Sequence, residues 1–163
     1  MQLKKTFTLI THDGYFGDIH SEIFITKSPN NLNIDNFISE IKKNKIKHVV
    51  RLCGPTYKET RIISENISFY DWTISDGGIP SEKIISDWIE LIKLNEPILV
   101  HCLAGLGRSP LLVVIGLINN KMSNFDAIEL VRRKCYKSLN NKQIDWLVNY
   151  KPKKKSLFKR FFG

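Results

Sequence analysis

Short apolar runs alternate along the chain with longer segments in which apolar residues recur every three or four positions. The recurring pattern is typical of amphipathic helices, and it predicts helices over residues 34–41, 84–92, 128–131 and 144–148. The short runs predict strands over residues 7–10, 22–26, 48–53, 67–72 and 97–101. Because strands and helices alternate, we predict a single α/β domain with a central, mostly parallel sheet flanked by helices.

The last of these strands is apolar throughout, which is typical of a strand buried on both faces of a sheet. It leads through the loop CLAGLGR into a further apolar segment, SPLLVVIGLI, which we expect to be helical. Ser109 is a favourable N-cap and Pro110 a favourable first helical residue, so we expect the helix to begin there. Ser81 and Ser123 are expected to cap the helices that follow them.

Composition excludes several classes of protein. The chain of 163 residues has the length of one domain, and its 42% hydrophobic content excludes intrinsic disorder. Its longest apolar run, residues 111–118, is far shorter than the roughly 20 residues that a membrane-spanning helix needs. The cysteines, Cys53, Cys102 and Cys135, are odd in number and widely spaced, which favours neither a disulfide scaffold nor a zinc site. We therefore expect a cytoplasmic protein in a reducing compartment.

Most of the positive charge lies at the end of the chain. The formal net charge is +9, and the segment KPKKKSLFKRFFG at 151–163 contributes +6 of it. Two interpretations of this basic, aromatic tail stay open: a solvated terminus, and a segment that contacts an anionic membrane surface or an acidic partner. A nucleic-acid partner is not expected, because the basic run is terminal rather than spread over a folded face. We accordingly divide the chain into an extension at 1–20, a domain at 21–150 and the tail.

The candidate chemistry lies in the loop between the buried strand and the helix, where Cys102 ends the strand and Arg108 precedes the helix. The residues between them are Leu103, Ala104, Gly105, Leu106 and Gly107. A tight loop with two glycines can turn its backbone N–H groups inward, and the helix N-terminus adds a partial positive charge. The planar guanidinium of Arg108 can bind two phosphate oxygens, and the same positive field favours the thiolate of Cys102. The segment therefore predicts a phosphate-binding site with a nucleophilic cysteine.

The motif HCxxGxxR at residues 101–108 resembles the signature of the cysteine-dependent phosphatases of the protein tyrosine phosphatase superfamily. HCLAGLGRSP resembles in particular the phosphatases of regenerating liver, the type IVA group, and the similarity extends over about residues 23–155. The resemblance implies the fold of that superfamily at dual-specificity size. It implies hydrolysis of phosphotyrosine through a phosphocysteine, with phosphoserine, phosphothreonine and phosphoinositides as open alternatives. It also implies that Cys102 is the nucleophile, Arg108 the phosphate-binding arginine and Asp76 the general acid, and that no metal or cofactor takes part.

Further residues acquire expected roles from the same comparison. Asp76 lies in an Asp-Gly-Gly loop that can move, whereas the rival carboxylate Asp71 ends a strand. Cys53 corresponds to a second cysteine that in the family can form a disulfide with the nucleophile. His101 is expected to orient the loop rather than to act as an acid or base. Ser109 carries a hydroxyl that can donate to the sulfur when the phosphocysteine breaks down.

The chain departs from the regenerating-liver pattern at several positions. Thr73 replaces the proline that usually follows the acid-loop tryptophan, Ser75 stands in place of a second acid, and Ser109 stands in place of alanine. The sequence ends in FKRFFG, without the prenylation motif of that group. The resemblance also implies association with CNNM-type magnesium transporters. A low-activity docking module is therefore the alternative to an enzyme.

Overall fold

The computed structural model describes residues 8–10 and 22–154 of the chain. The predicted boundaries of the N-terminal extension and most of the basic tail fall outside these residues, so both stay predictions. Residues 8–10 are described as an edge strand of the sheet. In the described part of the chain, no helix is long and apolar enough to cross a membrane.

The sheet has five strands in the order β1-β2-β5-β3-β4. The strands are β1 (Thr8–Ile10), β2 (Ile23–Lys27), β3 (His48–Arg51), β4 (Ser68–Asp71) and β5 (Ile98–Cys102). The strands β2, β5, β3 and β4 run parallel to one another. The edge strand β1 pairs antiparallel with β2. The prediction of a mostly parallel sheet is confirmed.

Within the described residues, six helices connect and cover the strands. They are α1 (Ile34–Lys43), α2 (Thr60–Ile63), α3 (Glu82–Ile92), α4 (Arg108–Asn119), α5 (Asn124–Lys134) and α6 (Asn141–Asn149). The single turn of α2 was not predicted, because four residues are too few to display a helical period. The other five correspond to predicted helices.

The hydrophobic core has two layers, one on each face of the sheet. Along the central strand β5, Ile98 and Val100 pack with the layer that contains α3, α4, α5 and α6, whereas Leu99 packs with the layer of α1 and α2. Every residue of β5 is buried, as predicted for a strand covered on both faces. Helix α4 is buried almost all round, since ten of its twelve residues are buried. The loop that joins β5 to α4 is therefore held between two fixed elements.

The predicted start of α4 is wrong. Ser81 and Ser123 cap α3 and α5 as expected, each accepting a hydrogen bond from the third amide of its helix. The helix α4, however, begins at Arg108 after the N-cap residue Gly107, which has no side-chain cap, and Ser109 lies inside the first turn. The physical reason is local. The amide of Ser109, in the first turn of α4, faces Cys102 at the end of β5, so a side-chain cap at this position would occupy the space that an anion needs.

The parallel strands place the candidate site residues at one edge of the sheet. The carboxyl ends of β2, β3, β4 and β5 lie side by side, because their registers pair Lys27 with Cys102 and Arg51 with both His101 and Asp71. In open α/β sheets this edge is where ligands bind. The candidate nucleophile and its neighbours therefore lie at the expected place.

Candidate active site

The loop from Leu103 to Gly107 makes a tight turn that only glycine allows at its centre. Gly105 has a φ of +73°, a conformation that L side chains rarely adopt. A Cβ at this position would lie 3.0 Å from the carbonyl carbon and oxygen of Thr26, which are backbone atoms at the end of β2. The loop is tied to the same strand end by the amide of Ser28, which donates to the carbonyl of Leu103 at 3.1 Å. We call residues 103–107 the phosphate loop.

The Cys102 thiol lies at the foot of the phosphate loop and is 2% exposed. Burial is the largest influence on its pKa and by itself raises it. The hydroxyl and amide of Ser109 and the amides of Gly105 and Gly107 favour the thiolate, and together they bring the pKa of Cys102 below its ordinary value. The buried Ser109 Oγ has no oxygen or nitrogen partner among the described residues, so its hydroxyl can turn toward the sulfur.

The side chain of Arg108 is oriented by contacts within the protein. Its guanidinium is buried, and Nη1 donates to the carbonyl oxygens of Ile74 at 3.0 Å and Leu52 at 3.5 Å. Nη2 lies 3.6 Å from Oδ1 of Asp76. The arginine therefore joins the phosphate loop to the segment that follows β4, which we call the acid loop (residues 72–78). A guanidinium fixed in this way offers its planar donors to phosphate oxygens at little further entropic cost.

The two rival carboxylates have different environments. Both oxygens of Asp71 are bound by the buried Arg51, with Nε–Oδ1 at 3.0 Å and Nη2–Oδ2 at 2.6 Å. The Asp76 side chain is 93% exposed and faces Arg108. Asp71 thus neutralises a buried charge, whereas Asp76 is the carboxylate that a phosphate ester bound at Arg108 could reach.

The His101 side chain is fixed by a hydrogen bond to Tyr57. Its Nε2 and the hydroxyl of Tyr57 form a buried hydrogen bond of 2.6 Å. Burial lowers the pKa of His101 to about 4, so the ring is neutral at physiological pH. A buried, neutral imidazole that is hydrogen-bonded to Tyr57 is suited to hold the backbone at Cys102 rather than to transfer protons.

Cys53 lies near Cys102 but is chemically different. The amide of Leu52 donates to the carbonyl of His101 at 2.9 Å, which brings the residues after β3 beside the end of β5. Burial raises the pKa of Cys53, and the two sulfurs are near enough for the charge of one to disfavour ionisation of the other. Cys53, Cys102 and Cys135 are all free thiols in this structure.

Two polar residues of the site escaped the sequence analysis. Asn140 and Gln143, at the start of α6, donate hydrogen bonds to the carbonyls of Gly77 and Gly78 in the acid loop. The spacing Asn-x-x-Gln is a signal for a helix start, and these residues do form a reciprocal capping box. No local pattern indicates that their amide nitrogens reach a loop more than sixty residues earlier.

Comparisons with known proteins place the chain among phosphatases. A family model described as protein-tyrosine phosphatase matches residues 12–147. The chain is 39% identical over 146 residues to protein tyrosine phosphatase type IVA 3 of Mus musculus, which covers 86% of this chain and 84% of that protein. It is 36% identical over 138 residues to the PRL-1 phosphatase of Drosophila melanogaster, which covers 81% and 78% respectively. A solved structure, "Protein Tyrosine Phosphatase (putative) from Leishmania major", superposes with a TM-score of 0.79 at 31% identity and covers 90% of this chain and 99% of that one.

The fold and these matches define a class of protein. The chain belongs to the protein-tyrosine phosphatase family. Within that family it is similar to the type IVA phosphatases, so the resemblance inferred from HCLAGLGRSP is confirmed.

The cysteine environments predict a selective alkylation. At mildly acidic pH, iodoacetamide should modify Cys102 first, because its lowered pKa leaves more thiolate than at Cys53 or at Cys135, whose pKa burial raises to about 11. As pH rises, labelling of Cys102 should level off above its pKa while labelling of the other two keeps increasing. Peptide mass spectrometry across a pH series measures this, with Cys102→Ser as the control that removes the fast reaction. Faster labelling of Cys53 or Cys135 would contradict the assignment.

Proposed function

We propose that this protein hydrolyses phosphomonoesters, phosphotyrosine first among them, through a phosphocysteine formed on Cys102. One observation carries the proposal. The sulfur with a lowered pKa lies at the foot of a loop whose amides face it, and the arginine that closes the loop lies 3.6 Å from an exposed carboxylate. Nucleophile, phosphate ligand and proton donor are therefore within reach of one bound phosphate group.

The proposed reaction has two steps. In the first, the Cys102 thiolate attacks phosphorus, a sulfur–phosphorus bond forms, and the bond from phosphorus to the leaving oxygen breaks. Asp76 gives its proton to that oxygen, while Arg108 and the loop amides stabilise the charge on the other phosphate oxygens. In the second, water attacks phosphorus, Asp76 takes a proton from it, and the thiolate leaves with its electron pair.

Turnover distinguishes an enzyme from a docking module. Phosphate release should be measured on a panel of phosphotyrosine, phosphoserine and phosphothreonine peptides and phosphoinositides, with Cys102→Ser beside the unchanged protein. We expect the unchanged protein to release phosphate and the variant to release none, because the hydroxyl of serine is not ionised near neutral pH. Binding of phosphopeptides without release from any member of the panel would favour the docking alternative.

Substitution of Asp76 should affect substrates according to their leaving groups. Asp76→Ala should lower kcat/KM, which reports the first step, on phenyl phosphate by about 100-fold, the scale of general acid catalysis, and on 4-nitrophenyl phosphate far less, since nitrophenolate leaves without a proton. Asp145→Ala, an exposed carboxylate of α6, is the matched control and should change neither. Equal losses on both substrates would point to Asp71 or to no acid at all.

At a pH at which Cys102 is fully ionised with and without the Ser109 hydroxyl, substitution of Ser109 should affect the second step alone. The hydroxyl can stabilise the thiolate as it leaves phosphorus, so Ser109→Ala should keep the rapid first-turnover burst and slow the steady state by about tenfold or more. The residue lies inside α4 rather than at its N-cap, and its buried oxygen has no oxygen or nitrogen partner among the described residues. The melting temperature should therefore change little. An equal reduction of both phases would contradict this role.

The redox, partner and membrane assignments stay predictions from the sequence. The proximity of Cys53 to Cys102 supports a disulfide that protects the nucleophile from further oxidation. Lys151–Lys154 are exposed, and the residues that follow lie outside the described chain. Association of the basic tail with anionic membranes, and of the protein with CNNM-type transporters, rests on the tail's charge and on the family resemblance.

A further inference from the structure

At the start of α6, the side-chain amides of Asn140 and Gln143 each form hydrogen bonds through both the oxygen and the nitrogen. Asn140 Oδ1 accepts from the amide of Gln143 at 2.8 Å, and Gln143 Oε1 accepts from the amide of Asn140 at 3.0 Å. These bonds complete the capping box of the helix. The nitrogen ends point away from the helix: Asn140 Nδ2 donates to the carbonyl of Gly77, and Gln143 Nε2 donates to the carbonyl of Gly78, each at 3.2 Å.

The same helix start contacts the phosphate loop. The amide of Leu139, the residue before the N-cap, donates to the carbonyl of Leu106 at 2.8 Å. A Cβ at Gly107 would lie 3.6 Å from both polar atoms of the Gln143 side chain. Gln143 is completely buried, so it lies between the two loops. The start of α6 is therefore placed to hold the acid loop relative to the phosphate loop.

The hydrogen bonds from the start of α6 to the acid loop bear on the position of Asp76. Its side chain is 93% exposed, so packing of the side chain contributes little to where the carboxylate lies. The backbone turn places it instead: the amide of Gly78 donates to the carbonyl of Ser75 at 2.8 Å, and Gly77 takes a φ of +68°. The carbonyls bound by Asn140 and Gln143 belong to the two residues directly after Asp76.

We propose that Asn140 and Gln143 are positioning residues for the general acid, and that their amide nitrogens hold the turn of the acid loop where Asp76 reaches the leaving oxygen. The inference rests on the proposed role of Asp76. Neither residue touches the reacting atoms. In the first step their effect is confined to esters whose leaving oxygen needs a proton, because a proton donor must lie within hydrogen-bond distance of its acceptor.

The chain permits a variant that separates this role from helix capping. Asn140→Ser keeps an N-cap oxygen, since serine and asparagine cap about equally well, but serine is too short to reach the carbonyl of Gly77. Asn141→Ser makes the same chemical change one residue further along α6, where the side chain is exposed, and serves as the control. Gln143→Met, which removes both ends of a buried amide, tests the second residue and is expected to lower the melting temperature as well.

Asn140→Ser should lower kcat/KM, which reports the first step, on phenyl phosphate by about tenfold, within the range that a misplaced catalytic group costs, and leave kcat/KM on 4-nitrophenyl phosphate within about twofold. Gln143→Met should show the same dependence on leaving group, and Asn141→Ser neither effect. In the Asp76→Ala background, Asn140→Ser should cause no further loss, because the group that it positions is absent. Equal losses on the two substrates, or full additivity with Asp76→Ala, would overturn the proposal.

Hydrogen exchange tests the inference without catalysis. The amide of Gly78 should exchange faster in Asn140→Ser than in the unchanged protein and in Asn141→Ser, because the turn that protects it has lost one of its two anchors. Unchanged exchange at Gly78 would overturn the proposal. If the unchanged protein hydrolysed neither phosphate ester, the proposed function would fail, and the exchange measurement alone would decide the role of Asn140.

Discussion

The close approach of the phosphate loop to the end of β2 is the constraint on which the site depends. At Gly105 the two backbones are so near that a Cβ would lie 3.0 Å from the carbonyl of Thr26. This approach turns the loop amides toward Cys102, where they offset the effect of burial on the pKa of the thiol. It also places Arg108 at the beginning of α4 with its guanidinium directed to the carbonyls of Ile74 and Leu52. Charge stabilisation at the sulfur and the proposed recognition of phosphate thus both involve this turn.

The sheet separates two carboxylates that lie five residues apart in the sequence. Arg51 is 1% exposed, and a buried guanidinium requires a partner. Asp71 provides one through two hydrogen bonds across neighbouring strands. Asp76, five residues later, has left the sheet and remains exposed. One carboxylate therefore serves stability, and the other is available for chemistry.

At the start of α4, the local preference for serine as the N-cap residue is not followed. Serine is favoured as an N-cap and would be expected to satisfy the first amides of the helix. Here the amide of Ser109 faces Cys102, the N-cap is Gly107, and Ser109 carries a buried hydroxyl that has no oxygen or nitrogen partner among the described residues. Buried polar groups without such partners are costly, and they occur in native proteins mainly where function requires them. The incomplete capping of α4 is consistent with a helix end reserved for an anion.

The sequence by itself determined most features that depend on neighbours along the chain, apart from the single turn of α2 and the start of α4. The alternation of strands and helices predicted the fold, and the contiguous segment from Cys102 to Arg108 predicted the anion site, because strand, loop and helix end are joined covalently. The general-acid role of Asp76 was predicted from the family resemblance, since an Asp-Gly turn alone is ambiguous. Only the tertiary structure decided that Asp71 is occupied by Arg51 and that Asn140 and Gln143 hold the acid loop. Those contacts join residues twenty to sixty-five positions apart, and the packing of whole elements, not any local pattern, brings such residues together.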